Sequence, residues 1–379
     1  MGVSSPVEGK NATMTGVHGV GEGGVMVGTV AEAVDDDSSS SSSSGGGGGG
    51  VAAKGAKQSF LRTLWEFSRP HTMIGTAIAI PAIGMFAGPA GALPGRRFVL
   101  AMIWAMVPSL LINVYITGLN QITDVEIDKV NKPYLPIPAG NLSPRAAKIT
   151  VTLCLLAGVA LGLAPSALGS PGLALTVVLS VLIGTGYSLP PLRLKRFPQV
   201  AALCILVVRG SIINGGFYSH AQLAGYGLST DRTALWALTL PFRDAKCALA
   251  LAYFTVFAVV IALMKDVPDV AGDRKFNIPS FSVVLGEAKL FAFARRLLTA
   301  LLWSTAGALG LSARAAAAAN LPWTAGGRAA VATAALFTGQ AVRRRAGKVN
   351  PEDPTQVYGF YMVLWKIFYL SYLFLPLAR

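Results

Sequence analysis

Long apolar stretches recur along this chain from about residue 70 to its end, and they restrict the fold more than any other feature. Each approaches the ~20 residues that a helix needs to cross the hydrocarbon core of a bilayer. Hydrophobic residues make up 53% of the chain and charged residues only 13%, with a mean hydropathy of +0.55. These values are typical of a membrane protein. We therefore predict an all-α polytopic membrane protein of about nine transmembrane helices, at residues 71–92, 98–120, 146–166, 172–189, 198–219, 245–265, 289–311, 325–341 and 357–377.

The first 53 residues differ in composition from everything that follows. They include a run of serines, Ser38–Ser44, followed directly by a run of glycines, Gly45–Gly50. Such a stretch has too little apolar side-chain area to offset the entropy lost on folding. Its acid-rich composition is also unlike that of organelle-targeting peptides, which are usually rich in Arg and poor in acids. We predict a disordered low-complexity extension, an amphipathic lead-in and a transmembrane domain, at residues 1–53, 54–70 and 71–379 respectively.

Basic charge is distributed unevenly between the two sides of the predicted bundle. The chain has a formal net charge of +14, and if the nine spans alternate in direction, most Lys and Arg residues fall in loops on one side. Arg193, Lys195 and Arg343–Arg345 lie on that side, whereas the opposite side has few, such as Arg96 and Arg97. This is the positive-inside bias, which places the basic side in the cytosol or stroma. Basic charge here indicates membrane topology and an anionic substrate, and we expect no nucleic-acid partner.

Acidic residues are scarce after residue 53, and half of them fall in two short clusters at the ends of predicted spans. The clusters are Asn120, Asp124, Glu126 and Asp128 after the second span, and Asp266, Asp269 and Asp273 after the sixth. Spacings of three and four residues place most members of each set on one stripe of a helix, if the helix continues through the cluster. Pro268 indicates that the second helix breaks there.

Carboxylates held close together repel one another unless a cation lies between them. Mg²⁺ prefers oxygen ligands and commonly takes one or two carboxylates together with substrate phosphates. One Asp triplet alone would be explained equally well by a solvated loop, but two clusters on the same predicted side favour a Mg²⁺–diphosphate site. Several nearby basic residues are suited to balance the remaining phosphate charge, namely Lys129, Lys132, Arg193, Lys195, Arg196, Lys265 and Arg274.

A charge inside a predicted span also indicates function. Arg209 lies within the fifth span, with Asn214 five residues later, and either a substrate anion or an internal ion-pair partner would explain it. The sequence has no Ser-His-Asp or Cys-His set of the kind used in nucleophilic catalysis, and its three histidines form no cluster. The cysteines lie in apolar segments and are predicted to be buried packing residues, namely Cys154, Cys204 and Cys247.

The two acidic clusters resemble the signature motifs of the UbiA-type intramembrane prenyltransferases. The first match runs from Asn120-Gln121 through Asp124 and Asp128-Lys129 to Asn131-Lys132-Pro133, and the second from Lys265-Asp266 through Pro268-Asp269 to Gly272-Asp273-Arg274. Within that superfamily the chain is most similar to the homogentisate prenyltransferases of plants, algae and cyanobacteria. The similarity covers roughly residues 58 to 379 and is strongest at residues 68–72, 118–136, 187–197, 208–210 and 365–369.

This resemblance implies nine helices around a central cavity, with the diphosphate site capped by the polar loops after helices two and six and a lateral opening for a lipid-like donor. The implied catalytic and metal-binding residues are Asp124, Asp128, Asp266, Asp269 and Asp273, with Asn120 beside them. Lys132 and Lys195 are implied phosphate contacts. Tyr187 lies eight residues before Lys195, rather than the four common in relatives, so Arg193 and Arg196 stay alternatives to Lys195. The candidates for binding the acceptor carboxylate are Arg69, His71 and Arg209.

The implied reaction is Mg²⁺-assisted loss of diphosphate to give an allylic cation, capture of that cation by the electron-rich ring of homogentisate, and loss of CO₂. Phytyl diphosphate, the donor of the tocopherol pathway, is favoured, with solanesyl and geranylgeranyl diphosphates as alternatives. The implied location is a plastid envelope membrane, with the motif loops facing the stroma. A cation-coupled transporter would instead have two matching halves and acids near mid-helix, and the sequence has neither feature.

Overall fold

The computed structural model describes residues 59–89 and 91–379, and all regular structure in this part is helical, as predicted. The predicted disordered extension, residues 1–53, lies outside the described residues, as does the beginning of the lead-in, so both stay predictions. In chain order the α-helices are α1 (Phe60–Phe67), α2 (Pro70–Ala87), α3 (Arg96–Thr123), α4 (Val125–Asn131), α5 (Pro144–Leu163), α6 (Pro171–Ser188), α7 (Pro198–Ile205), α8 (Ile213–His220), α9 (Ala234–Thr239), α10 (Ala245–Met264), α11 (Val270–Lys275), α12 (Phe281–Leu285), α13 (Glu287–Ala318), α14 (Pro322–Ala346) and α15 (Pro354–Phe374).

Within the described residues, seven helical segments are long and apolar enough to cross a membrane, and each coincides with a predicted span. They are α2, α3, α5, α6, the segment Pro198–Gly225, α10 and the segment Pro354–Ala378. Two π-helical turns, Leu206–Ile212 and Ala221–Gly225, join α7 and α8 into the continuous segment Pro198–Gly225. The membrane-protein class is therefore confirmed.

The remaining two predicted spans, 289–311 and 325–341, coincide with α13 and α14, which are 32 and 25 residues long. Both helices are rich in Ala and contain arginines such as Arg314 and Arg328, which lower their hydropathy below that of the other seven. The two helices pack against each other as a pair. The helices themselves are found where the sequence predicts them, but the count of nine spans is not confirmed.

Proline and serine mark the beginnings of many of these helices. Pro occupies the first turn of α2, α5, α6, α7, α14 and α15, where its missing N–H has no intrahelical partner to lose. Ser143 and Ser170 accept hydrogen bonds from the backbone N–H groups of Ala146 and Leu173, and so cap α5 and α6. Each of these polar loops therefore ends at a residue that favours the start of the next helix.

The long helices pack around an interior that they do not fill completely. α2 packs on α3, α3 on α5 and α6, α6 on α8, α10 on α13, and α15 returns to α2. Many of the largest buried side chains in this packing are aromatic. Phe254 stacks on Tyr372 with ring centroids 4.0 Å apart. This arrangement brings the ends of α3, α6 and α10 to one side of the bundle.

The short helix α1 is amphipathic. It buries Thr63 and Phe67 and exposes the apolar side chains of Phe60, Leu61 and Trp65. Exposed apolar residues on a short helix beside a membrane span are typical of helices that lie in the membrane interface. The assignment of residues 54–70 as an amphipathic lead-in stays a prediction.

Candidate functional site

Two cavities lie inside the bundle and share part of their wall. The polar cavity, of about 990 Å³, is lined by residues of both acidic clusters. The apolar cavity, of about 240 Å³, lies among the membrane-spanning helices. Because the two share lining residues, they adjoin each other as a charged end and an apolar end of the site. The shared residues are Arg69, His71, Asn120, Tyr187, Lys265 and Tyr361.

The first acidic cluster lies at a break between two helices. α3 ends at Thr123, Asp124 has a non-helical backbone (φ −113°, ψ 15°), and α4 begins at the next residue. The predicted continuous stripe is therefore wrong, since Asn120 and Asp128 belong to different helices. The break leaves the Asp124 carboxylate facing the polar cavity, where it accepts a hydrogen bond of 2.8 Å from the Asn120 amide.

Basic residues from the loop after α6 reach the same carboxylate. Lys195 donates to Asp124 and, at 3.1 Å, to the hydroxyl of Thr123, and an Arg193 nitrogen lies 3.4 Å from Asp124. Arg193 has a left-handed backbone (φ 36°), which is uncommon for a side chain other than Gly and is frequent at functional sites. The loop therefore supplies cations to the first acidic cluster.

The second acidic cluster lies at the helix break that Pro268 predicts. α10 ends at Met264 and α11 begins at Val270, so the intervening loop crosses the polar cavity. Lys265 lies 3.1 Å from Asp266 and donates to the hydroxyl of Tyr187 at 3.1 Å. Asp269 pairs with Lys132, which follows α4. This last pair joins the two clusters across the cavity.

Burial changes the acidity of several of these groups. Asp128 is 4% exposed and Asp273 is 7% exposed, and burial raises the pKa of each carboxyl to about 6. Burial also raises the pKa of Asp266 and lowers that of Lys195. One carboxylate oxygen of Asp128, Oδ2, is buried and has no hydrogen-bond partner in the part of the chain that the structure describes. Buried carboxyls with raised pKa values are groups to which a bound cation would be favourable.

The donor set fits a hard divalent cation that takes part of its ligands from phosphate and water. Carboxylates from two loops line one cavity, and the buried Oδ2 atom of Asp128, a residue of its wall, has no hydrogen-bond partner among the described residues. No three Asp, Glu, His or Cys side chains converge on a single point in the part of the chain that the structure describes.

The apolar cavity contains a positive charge and aromatic walls. The guanidinium carbon of Arg209 lies 4.9 Å from the ring centroid of Trp365, and the ring of His71 meets the same indole edge-on at 5.0 Å. Arg69, at the junction of the two cavities, has a left-handed backbone (φ 54°). Its Nε is buried and has no hydrogen-bond partner within residues 59–89 and 91–379. Among the described residues Arg209 forms no salt bridge, so its charge is available to an anion.

Most of the predicted site residues are brought together by the fold. The polar cavity is lined by Asn120, Asp124, Asp128, Lys132, Arg193, Lys195, Arg196, Asp266, Asp269 and Asp273, the junction by Arg69 and His71, and the apolar cavity by Arg209. Arg274 is exposed and lines neither cavity. The prediction that all three cysteines are buried holds only for Cys247, because Cys154 and Cys204 are half-buried and Cys204 lines the apolar cavity.

Sequence reasoning missed several residues of the cavity walls. Tyr361 lines both cavities, and Tyr134 and Tyr358 line the polar one. The signal available was the recurrence of aromatic residues at spacings of three and four along the last span, from Tyr358 through Tyr361 to Trp365. Such an aromatic stripe is more often part of a hydrophobic core than of a cavity wall, and only the fold distinguishes these two roles.

Comparison with known proteins identifies the family. The sequence profile of the UbiA prenyltransferase family matches residues 77–367. Homogentisate phytyltransferase 1, chloroplastic, of Arabidopsis thaliana is 37% identical over 321 residues, which cover 84% of this chain and 76% of that protein. Homogentisate phytyltransferase of Synechocystis sp. is 36% identical over 326 residues, which cover 84% of this chain and 96% of that protein.

The fold is also similar to that of a solved structure. A UbiA homolog from Archaeoglobus fulgidus, solved bound to GPP and Mg²⁺, matches with a TM-score of 0.52 and 12% sequence identity, over 83% of this chain and 99% of that one. At this identity the similarity is one of fold alone. Because the family profile spans well over half of the chain and relatives above 30% identity cover most of it, the chain belongs to the UbiA prenyltransferase family.

Proposed function

We propose that this protein is a homogentisate phytyltransferase, which transfers the phytyl group of phytyl diphosphate to homogentisate with loss of CO₂. The observation that carries this proposal is the pair of adjoining cavities, an acid-lined polar end and an apolar end that contains Arg209. The charged end suits a metal-bound diphosphate, and the apolar end suits an aromatic acid and the start of a prenyl chain. The names of its relatives support the same substrates.

The polar cavity would hold the diphosphate. The residues proposed to hold Mg²⁺ are Asp124, Asp128, Asp266, Asp269 and Asp273, which line this cavity from both clusters. When bound, Mg²⁺ supplies Lewis-acid stabilisation of the leaving diphosphate. Solved structures of a family member with Mg²⁺ and a prenyl diphosphate support the use of a divalent ion. The residues proposed to contact phosphate oxygens are Asn120, Lys132, Arg193, Lys195 and Arg196, and exposed Arg274 is left out of this set.

The apolar cavity would hold homogentisate, with its carboxylate directed to a cation. Arg209 is the strongest candidate because its guanidinium lies over Trp365 and has no salt bridge in the described structure. Arg69 and His71 line the junction and are the alternatives. The acceptor ring would then lie between this anchor and the diphosphate end, where C–C bond formation has to occur.

The junction between the cavities is where the donor C–O bond would break. Tyr187 and Tyr361 line it, and the π faces of aromatic rings stabilise nearby cations. Apolar walls keep water away from the allylic cation, which would otherwise be hydrolysed. The pair of electrons that forms the new C–C bond comes from the phenolic ring, so the protein needs no nucleophile of its own. This agrees with the lack of a nucleophile–base pair in the sequence.

The seven apolar helices of the described residues identify the chain as a membrane protein. We propose that it lies in a plastid envelope membrane. Two considerations support this location and its orientation. The names of relatives include a chloroplastic protein. The predicted alternation of spans puts the acid-bearing loops on the side with most basic residues, which favours the stroma.

The proposed function is tested by supplying membranes that contain the protein with homogentisate, Mg²⁺ and one prenyl diphosphate at a time. We expect phytyl diphosphate to give the most product, identified by mass as the decarboxylated phytyl quinol. A clear preference for solanesyl or geranylgeranyl diphosphate would overturn the donor assignment and leave the acceptor unchanged. Absence of prenylated product from every donor, with the protein present in the membrane, would overturn the function.

A further inference from the structure

A side chain on α4 reaches across to the first turn of α11. The Oδ1 atom of Asn131 accepts a hydrogen bond of 2.9 Å from the backbone N–H of Gly272. Asn131 is the last residue of α4 and Gly272 is the third residue of α11, so this bond joins the two short helices that follow α3 and α10. It is separate from the Lys132–Asp269 pair, which joins the same two segments through charges.

The first turn of any helix has backbone N–H groups without intrahelical partners, and a side chain at the residue before the helix normally accepts from one of them. Asp269 holds that position in α11, and Asp is among the residues preferred there. Asp269 nevertheless makes no capping hydrogen bond, because its carboxylate pairs with Lys132 at the polar cavity. The N–H that Asp269 would cap, that of Gly272, is bound by Asn131 instead.

Gly272 leaves the space that this bond requires. It is buried, and a Cβ atom added to it would collide with the side-chain amide of Asn131. The Asn131 amide therefore occupies the volume that a larger residue would fill at position 272. Both partners of the bond thus fit each other in shape as well as in hydrogen-bonding capacity.

We infer that Asn131 is a positioning residue of the active site, which caps α11 in place of Asp269 and so leaves the Asp269 carboxylate facing the cavity. Without the Asn131 amide, Asp269 has an unsatisfied N–H on its own helix three residues away and turns toward it. The carboxylate then leaves Lys132 and the polar cavity. This inference rests on the proposed function only in assigning a metal-bound diphosphate to that cavity.

The first test measures binding without catalysis. Purified protein in detergent is titrated with inorganic diphosphate in the presence of Mg²⁺, and the affinity is measured by calorimetry for wild type, Asn131→Ala and Asn141→Ala. We expect Asn131→Ala to weaken binding on the order of tenfold to a hundredfold, as loss of a partner behind a metal ligand does. Asn141 is the matched control, because it lies exposed in the loop after α4 and makes no side-chain hydrogen bond in the described structure. Unchanged affinity in Asn131→Ala would overturn the inference, and this readout stands whether or not homogentisate is the acceptor.

The second test separates positioning from a general loss of structure. Gly272→Ala forces the Asn131 amide away and is expected to weaken Mg²⁺–diphosphate binding as much as Asn131→Ala does. The double variant removes the collision, so it should bind no more weakly than either single variant. In turnover assays, Asn131→Ala should raise the Mg²⁺ concentration needed for half-maximal rate while the KM for the acceptor stays unchanged. Losses that multiply in the double variant, or an equal rise in the acceptor KM, would contradict the inference.

Discussion

At the scale of single residues, the five aspartates of the two clusters act in our proposal as one unit on one diphosphate. Asp124→Asn and Asp266→Asn keep size and hydrogen-bonding capacity but remove the anionic ligand. We expect each to lower kcat/KM on the order of 10² or more, because Lewis-acid stabilisation contributes several kcal/mol and each 1.36 kcal/mol is tenfold. The double variant should lose far less than the product of the single losses. Excess Mg²⁺ should partly restore the single variants.

Glu126→Gln is the matched control for this series. Glu126 belongs to the first cluster, but its side chain is 72% exposed and pairs with Lys129 at the surface. We expect nearly wild-type turnover from it, since exposed pairs contribute little. Near-normal activity of both Asp variants at normal expression would remove the metal-binding role from the clusters.

The raised pKa values of Asp128 and Asp273 predict how the stability of the metal-free protein depends on pH. Burial raises the pKa of each to about 6, so folding favours their protonated forms. The stabilising contribution of protonation is present below the unfolded pKa and is lost as pH rises through about 6. We expect the Tm in detergent with EDTA to fall from about pH 4 to about pH 7 and to change little above that, and Mg²⁺ to raise the Tm more at pH 8 than at pH 5.

Asp128→Asn should remove part of this dependence, because an amide does not titrate. The measurement is the Tm at several pH values, with and without Mg²⁺, and without diphosphate, whose own protonation would otherwise interfere. If the Tm of wild type and the Tm of Asp128→Asn change equally with pH, the carboxyl of Asp128 titrates normally and the prediction is wrong.

Arg209 should determine acceptor affinity and leave donor affinity unaffected. Arg209→Met keeps much of the packing on Trp365 but removes the charge, so we expect the KM for homogentisate to rise on the order of 10² while the KM for phytyl diphosphate stays constant. A hydroquinone acceptor without a carboxylate should be used equally well by wild type and variant. Arg274→Met, at an exposed position outside both cavities, is the control and should change neither KM. An effect of Arg209→Met on the donor alone would contradict the assignment.

At the scale of elements, hydrophobic length was enough to predict where the long helices lie, because every span must satisfy its backbone hydrogen bonds internally. The spacing of the acids also located both clusters, and Pro268 located the second helix break. The break at Asp124 was not predictable, because the sequence there contains no Pro or Gly and a spacing of four residues continues through it. Interactions with Lys195 and Arg193, which come from another part of the chain, accompany that break.

Contacts between helices that are far apart in the sequence could not be predicted from it. Asn131 belongs to the first motif, but its hydrogen bond to Gly272 joins positions far apart in sequence, and residue type alone does not indicate such a bond. The same holds for Tyr361, whose place in the cavity wall depends on α15 packing against α2. Predicting that α13 and α14 are helices was possible, but their Ala-rich, Arg-containing sequences do not decide how they lie in a membrane.

At the scale of the whole molecule, the positive-inside bias of the sequence predicts that the acid-bearing loops face the stroma or, in a bacterial host, the cytosol. Single cysteines at Val130 and Lys275, in a background without native cysteines, test this orientation. Both positions are exposed beside the polar cavity. A membrane-impermeant maleimide should label them from the stromal or cytosolic side only. A cysteine at Leu93, which is 85% exposed in the loop before α3, should be labelled only from the other side.

The variants must retain prenyl transfer, so that labelling reports the active topology. Labelling of positions 130 and 275 solely from the opposite side would reverse the orientation, and with it the compartment from which homogentisate and the diphosphate enter.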